Sequence, residues 1–167
     1  RDEPPSECLR HVTAALSFAP AISYELSGTD PTDIAVGDIN GDGNPDLAVT
    51  MFGLSSGDGK VSVHLGTGNG RLADHPFPTP FRPYAVALAD WNSDSLLDMA
   101  ITEGSSNSSA VHLYRNNGDE TFTPVAHPTA IPFPAAITAA QFNGDGRADL
   151  AVVSASGAGV AILPAHG

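Results

Sequence analysis

Short apolar runs alternate with polar segments rich in Gly, Asn, Asp and Ser through most of the chain. Residues 46–50, 98–102 and 149–153 each open on an aspartate and continue with four mostly apolar residues, several of them β-branched. Runs of this length bounded by turn-forming residues are typical of strands, because helices need longer periodic segments. The pattern predicts an all-β fold of short strands.

The strands are predicted to recur in units of four. A proline stands seven residues before a polar nine-residue loop in each unit, and a first strand lies between them, at residues 34–36, 85–88 and 136–139. A second strand follows the loop, and a third lies at 61–65, 110–114 and 160–163 after a loop of variable length. Turns at 68–70 and 116–118 then lead to Pro-rich fourth strands that begin at Leu72 and Phe122. Proline suits an edge strand, which can forgo ladder donors.

The polar loop occurs three times, at residues 38–46, 90–98 and 141–149, so the chain repeats with a period of about fifty residues. Oxygen-bearing side chains occupy loop positions 1, 3, 5 and 9, and position 6 is Gly43 or Gly146 in two copies. Such oxygen ligands are those of Ca²⁺, which takes six to eight of them and also uses a backbone carbonyl. The predicted metal residues, with position 7 included, are Asp38, Asn40, Asp42, Asn44, Asp46, Asp90, Asn92, Asp94, Leu96, Asp98, Gln141, Asn143, Asp145, Arg147 and Asp149.

The loop differs from an EF-hand in two respects. The bidentate glutamate expected at position 12 is replaced by Val49, Ile101 and Val152, and strands rather than helices follow each loop. The loop is therefore predicted to join two strands. The alternative interpretation is an ordinary turn, since Asp, Asn and Gly are common turn formers.

These loops and their flanking strands resemble the FG-GAP or VCBS repeats of integrin-like β-propellers over residues 18–163. The resemblance implies a propeller-type array of about three four-stranded blades, with calcium loops between strands 1 and 2. The large apolar residue at loop position 2 is expected to wedge between blades. The expected organisation is an N-terminal tail at 1–17, an outer strand for a neighbouring blade at 18–30, blade repeats at 31–81 and 82–132, and a third repeat at 133–167 that lacks its outer strand.

The three loops are not equivalent. The first has three carboxylates and two glycines and is predicted to bind calcium most strongly. The second keeps three carboxylates but has Ser93 and Ser95 in place of glycine, which costs energy if φ is positive there. The third has Gln141 in place of the first aspartate, so its affinity is expected to be lowest.

Composition fits a secreted metal-binding protein. The net charge is −12, from seven basic and nineteen acidic residues, and eight of the acids lie in the three loops. The absence of a basic stripe argues against nucleic acid as a partner, and no run of eighteen apolar residues predicts a membrane span. Asn107 begins an N-glycosylation sequence. Cys8 is the single cysteine, and its state is left open between a thiol and a disulfide to another chain.

Two further patterns suggest other chemistry. Residues 53–57 satisfy the G-x-S-x-G pattern of serine hydrolases, but this pattern needs a strand, an elbow and a helix, whereas a strand is predicted to follow Ser55. A polar loop is the better interpretation, and no enzymatic activity is predicted. His64 and His112 are predicted to occupy equivalent places in two third strands, which explains them without a ligand role.

The sequence thus predicts an extracellular calcium-binding structural or adhesive repeat protein. Three blades are too few to close a propeller, and the last unit lacks its outer strand, so residues 18–26 of one chain are expected to pair with the third unit of the next. Such head-to-tail association gives a six-bladed ring or a filament. The alternatives are a glycan-binding lectin, possible partners being glycans or other surface proteins, and the non-catalytic propeller fragment of a larger surface enzyme.

Overall fold

The computed structural model describes residues 17–55, 58–79, 82–104, 110–128, 130–157 and 159–165. Within these ranges the chain forms strands and no helix, as the apolar pattern predicts. The strands are β1 (Pro31–Gly37), β2 (Asp46–Met51), β3 (Lys60–Gly66), β4 (Leu72–Pro78), β5 (Pro83–Ala89), β6 (Asp98–Glu103), β7 (Val111–Asn116), β8 (Phe122–Ala126), β9 (Pro134–Ala140), β10 (Asp149–Ser154) and β11 (Val160–Leu163).

The strands form three antiparallel sheets in chain order. Sheets β1–β4 and β5–β8 have four strands each, and β9–β11 has three. We call them blades 1, 2 and 3. The first strands β1, β5 and β9 lie next to one another, so the blades are arranged side by side around their innermost strands. The all-β, propeller-like fold is confirmed, and the described strands form an open array and not a closed ring.

The apolar core lies between the blades and not within a single sheet. One buried cluster joins blades 1 and 2 and includes Ile39, Val63, Val86 and Met99. A second joins blades 2 and 3 and includes Ala87, Ala100, Leu150 and Val152. Because each sheet buries its face against the next one, neighbouring blades stabilise each other.

The wedge predicted at loop position 2 is present at both seams between blades. Ile39 is buried in the first cluster and Trp91 packs against the second. Phe142, the third such residue, is 50% exposed because no described blade follows it. The position therefore contacts the next blade wherever one is present.

Register between strands corrects the predicted equivalence of the two histidines. His64 pairs with Leu47 in blade 1. Met99 is the counterpart of Leu47 in blade 2, and it pairs with Tyr114. His112 lies two residues earlier, opposite Ile101. The prediction was wrong because the loop before the third strand varies in length and supplies no fixed offset.

The segment before blade 1 forms no strand in residues 17–30. It contacts blade 1 through the Tyr24 hydroxyl, which donates to the Gly70 carbonyl, and through the Ser27 carbonyl, which accepts from Lys60 Nζ at 2.6 Å. The predicted outer strand would form only by pairing with a blade of another chain, and a single chain does not test that. It therefore stays a prediction. Cys8 and Asn107 lie outside the described residues. Nothing in the described ranges forms the long apolar helix that would cross a membrane.

Candidate metal-binding loops

The three polar loops share one backbone conformation. Each connects the first and second strands of its blade, between Gly37 and Asp46, Ala89 and Asp98, or Ala140 and Asp149. Loop positions 4 and 6 have left-handed φ in every copy, at Gly41 (76°), Gly43 (85°), Ser93 (64°), Ser95 (70°), Gly144 (85°) and Gly146 (86°). Both serines have positive φ and are therefore strained, because a Cβ disfavours this region.

The side chain at position 1 holds the turn together. Asp38 Oδ1 accepts hydrogen bonds from the N–H groups of Gly41 (2.8 Å) and Asp42 (3.1 Å), and its Oδ2 accepts from Gly43 (2.9 Å). Asp90 makes the same three bonds in the second loop. Gln141 accepts one such bond, from Gly144 at 2.8 Å. An amide has one oxygen where a carboxylate has two, so the third loop is less firmly organised.

Positions 3 and 5 place an amide beside an exposed carboxylate. The asparagine Nδ2 donates to the aspartate Oδ2 at 3.3 Å in the first loop, 2.8 Å in the second and 3.0 Å in the third. The N–H of position 7 donates to the other aspartate oxygen in each copy, at Asn44, Leu96 and Arg147. The hydrogen bond from the Asn44 N–H lowers the pKa of Asp42 below its ordinary value, which keeps this carboxylate charged at neutral pH.

The aspartate at position 9 has a different environment from the other side chains of its loop. Asp46, Asp98 and Asp149 are buried. One oxygen of each accepts from the N–H of position 2, at Ile39 (2.7 Å), Trp91 (3.3 Å) and Phe142 (2.8 Å). The other accepts from the end of the third strand or just beyond it, at Gly66 (2.7 Å), Asn116 (2.9 Å) and Ala165 (2.8 Å). Each therefore ties its loop to the third strand, a role that sequence reasoning missed.

Burial raises the pKa of Asp98, although the N–H groups of Asn116 and Trp91 act in the opposite direction. The nearby Asp94 and Asp90 carboxylates raise it further. The second loop thus brings three negative charges close together, at a cost that a bound cation would relieve.

The donor set is suited to a hard cation. Each loop offers carboxylate and amide oxygens and neither imidazole nor thiol, which matches calcium chemistry. Among the described residues, no three His, Cys, Asp or Glu side chains gather in a metal-binding arrangement by themselves. The arrangement in each loop is instead mixed: an amide lies between positions 1 and 5, and the position 9 carboxylate faces backbone donors. Metal binding by these residues stays a prediction.

Ser55, from the G-x-S-x-G pattern, lies in the loop between β2 and β3. Its carbonyl accepts from the Asp58 N–H at 3.1 Å, and β3 begins at Lys60. The described residues beyond Ser55 thus lead into a strand, as the sequence predicts, and not into the helix that follows a hydrolase nucleophile.

Blades of three or four antiparallel strands, each with an acidic loop between its first two strands, define a repeat protein of the β-propeller type. Residues 31–64 match the FG-GAP repeat, and residues 91–152 match the FG-GAP-like repeat. The two matches together span more than half of the chain and include parts of all three blades. The chain is an FG-GAP-like repeat protein. No curated protein matches it.

Proposed function

We propose that this chain is a calcium-stabilised structural or adhesive module of an extracellular protein. The observation that carries the proposal is the threefold recurrence of one loop conformation with carboxylates at its exposed positions. Two left-handed residues per loop are costly for any residue except glycine. Such a backbone, repeated with charged oxygen ligands, is more readily explained by a cation than by the need for a turn.

Calcium would be held by the side chains at positions 1, 3 and 5, with position 7 and the position 9 aspartate as further candidates. It supplies positive charge that offsets repulsion between the carboxylates and fixes the end of the first hairpin. A ligand that binds only the folded chain adds RT ln(1 + [L]/Kd) to stability. The expected order of affinity is first, second and third loop, because Ser93 and Ser95 strain the second and Gln141 removes a charge from the third.

An extracellular location is supported by chemistry of the chain as a whole. The net charge of −12 needs counter-ions, and millimolar calcium outside cells suits sites of the weak affinity common in extracellular modules, about 10⁻⁴ to 10⁻³ M. The glycosylation sequence at Asn107 fits the same location. We place the adhesive role at the blade faces and edges, since the loops are assigned to calcium.

The two end faces of the array support self-association. On blade 1, Ile34 and Val36 are exposed, although their counterparts in blades 2 and 3 pack against a neighbouring blade. On blade 3, the exposed apolar residues are Phe142, Val153, Val160 and Ile162. Each end thus presents one half of an interface that the chain forms twice internally. Head-to-tail contact between copies would bury both halves and place residues 18–26 beside the free edge of β11.

Glycan binding is the less favoured function. A lectin built from repeats should place aromatic residues at one recurring position, whereas Tyr84 corresponds to Thr32 and Ala135, and Tyr114 to His64 and Leu163. Trp91 and Phe142 share loop position 2, but this position is Ile39 in blade 1, and both Ile39 and Trp91 pack between blades. Tyr84 and Tyr114 therefore form no recurring aromatic site. No feature of the described residues favours the propeller of a surface enzyme over a free-standing module.

Thermal unfolding and solution mass test the proposal together. In 10 mM CaCl₂ the melting temperature should exceed that in EGTA by several degrees, because each site at 10–100 times its Kd adds about 1.4–2.7 kcal/mol. Magnesium chloride at equal concentration is the control for ionic strength. Sedimentation at rising protein concentration should show dimers or larger species. Equal melting in calcium and EGTA would refute the calcium role, and a monomer at every concentration would refute self-association.

A further inference from the structure

Three aromatic rings fill the outer end of the seam between blades 1 and 2. Phe77 on β4 meets Tyr114 on β7 and Phe122 on β8 edge-on, with ring centroids 5.1 and 5.7 Å away. Tyr114 and Phe122 are buried, and Phe77 packs against the same cluster. The outer strand of each of these blades thus contributes a ring to the seam that the two blades share.

The same place between blades 2 and 3 has smaller residues. Pro128 stands in the place of Phe77, because its carbonyl accepts from the third strand, at 3.1 Å, where Phe77 pairs with that strand. Leu163 stands in the place of Tyr114, because each pairs with the second residue of its second strand. Blade 3 has three described strands, so none of them supplies a counterpart of Phe122.

An open cavity of about 470 Å³ lies here, and we call it the blade 3 cavity. Its walls include Trp91, Leu113, Leu150 and Leu163. A cavity of about 150 Å³ is large enough for benzene, so this one can accept a phenylalanine ring. Among the described strands β11 pairs only with β10, and its other edge is open to a further strand. An extended segment with an aromatic residue near its start would fill both places.

Residues 17–30 lie against blade 1 as an outer strand would. Tyr24 lines a second cavity, of about 430 Å³, together with His64 and Leu72. We call it the blade 1 cavity. His64 and Leu72 are the blade 1 counterparts of the two residues that Phe77 contacts in blade 2. Tyr24 therefore lies over blade 1 as Phe77 lies over blade 2.

Phe18 is the residue of this segment that matches the blade 3 cavity. It precedes Tyr24 by six residues, as Phe122 precedes Pro128, and its side chain is 89% exposed. Phe122 and Pro128 face opposite seams because the pairing of β8 contains a register shift, and the paired segment requires the same shift. Phe18 would then face blade 2 of the other copy, as Phe122 faces blade 1.

The blade 1 cavity matches the residue at loop position 2 of blade 3. In the first seam Ile39 shares a buried cluster with three residues of blade 2, which are Val86, Met99 and Tyr114. Their counterparts on blade 1 line the blade 1 cavity, and they are Ile34, Leu47 and His64. Phe142 is the position 2 residue of blade 3, and its ring is 50% exposed.

We propose that two copies of this chain exchange phenylalanine rings across one joint. Phe18 of the first copy fills the blade 3 cavity of the second, and Phe142 of the second fills the blade 1 cavity of the first. This inference rests on the proposed self-association and assigns its anchor residues. Residues 18–26 of the first copy add a strand to β11 of the second, so backbone hydrogen bonds and two buried rings act together. The charge of −12 on each copy opposes the contact, so salt should strengthen it.

A peptide of residues 17–27 tests the blade 3 cavity without requiring two chains to join. The acceptor is the full chain with Phe18→Ala, whose own segment lacks the competing ring. In an NMR titration the peptide should shift the amide signals of Leu150, Leu163 and Ala165. The same peptide with Phe18→Ala should bind about tenfold more weakly. Absence of binding, or equal binding of the two peptides, would overturn the assignment of Phe18.

Two charged variants test the joint between whole chains by sedimentation velocity. Phe18→Asp blocks one half of the contact and Phe142→Asp the other, and each alone should associate at least about tenfold more weakly than the unmodified chain. An equal mixture should form dimers and no larger species, because each variant keeps the half that the other lacks. Leu54→Asp, at an exposed apolar residue outside both cavities, is the control and should associate normally. If an aspartate variant fails to fold, alanine at the same residue replaces it.

The two experiments separate this inference from the proposed self-association. Association that persists in both aspartate variants, or a mixture that stays monomeric, would overturn the ring exchange and leave self-association in place. A monomeric unmodified chain that still binds the peptide through Phe18 would overturn self-association and support the blade 3 cavity as the site for this segment. A monomeric chain that does not bind the peptide would overturn both.

Discussion

The first and second polar loops have one backbone conformation and different residues at its two strained positions. Gly41 and Gly43 occupy positions 4 and 6 of the first loop, with φ of 76° and 85°, and Ser93 and Ser95 occupy them in the second, with φ of 64° and 70°. Their hydrogen-bond patterns to the position 1 aspartate are the same. Glycine is therefore not what defines this turn.

The difference between the loops shows what does define it. Ser93 and Ser95 each donate a backbone N–H to Asp90, at 2.7 and 2.8 Å, so charge-assisted bonds hold them in a region that L-residues avoid. A Cβ added at Gly41 or Gly43 would meet no atom within 4 Å. The cost of serine is thus a backbone cost, and the acceptor side chain at position 1 and the carboxylate at position 9 hold the shape.

The largest effect is expected on removing the position 9 aspartate. Asp46 accepts three N–H groups, from Ile39, Asn40 and Gly66, whereas Asp98 accepts two in the hydrogen bonds described, from Trp91 and Asn116. Asp46→Ala should lower the free energy of unfolding by about 2–4 kcal/mol, and Asp98→Ala by less, because buried donors lose their acceptor. Urea unfolding in EGTA measures this without bound calcium.

Asp58→Ala, an exposed aspartate in the loop before β3, is the matched control and should change stability by under about 0.5 kcal/mol. If Asp46→Ala costs no more than this control, the carboxylate does not tie the loop to the third strand.

A smaller effect is expected at Asn116, which links the two loops. Its buried side chain donates to the carbonyl of Ile39 at 2.8 Å and to that of Leu97 at 3.1 Å. Asn116→Ala should cost about 1–3 kcal/mol by leaving carbonyls without a donor. It should also reduce the coupling energy between Asp46→Ala and Asp98→Ala, measured by double-mutant cycles with and without the asparagine. Unchanged coupling would show that the loops act independently.

The smallest effect concerns the strained serines themselves. Ser93→Gly and Ser95→Gly should each stabilise the chain by about 0.5–1 kcal/mol, and Gly41→Ser and Gly43→Ser should destabilise it by similar amounts. Chemical denaturation in EGTA measures all four variants under the same conditions. A loss of stability in both serine-to-glycine variants would mean that unfolded-state entropy outweighs the strain.

The repeat pattern was sufficient to predict the strands of the three blades and the loops that join their first two strands. Alignment of the three loops placed Ser93 and Ser95 opposite glycines, which showed where a positive φ would cost energy in the second copy. The wedge at Ile39 and Trp91 was predictable for the same reason. Local patterns recur because each blade packs against its neighbours in the same way.

Differences between the blades were harder to predict. Phe52 and Gly104 donate equivalent backbone hydrogen bonds, to Asp30 and Arg82. Only the packed structure shows that the Phe52 ring stacks on Arg82 and that a Cβ at Gly104 would collide with the same ring. The position 9 aspartate was predicted from residue type as a metal ligand, yet its oxygens face N–H groups at the end of a strand whose register depends on loops of unequal length. Long-range register is not encoded in any single repeat.

The central claim is that calcium stabilises the chain through these loops in a fixed order. The most direct measurement is the calcium-dependent shift in melting temperature, taken as the difference between calcium and EGTA, for Asp42→Ala and Asp145→Ala. These residues hold the same exposed position in the first and third loops, so their comparison isolates the contribution of each loop. Asp42→Ala should lose more of the shift than Asp145→Ala. Equal or reversed losses, or no shift in the unmodified chain, would contradict the account.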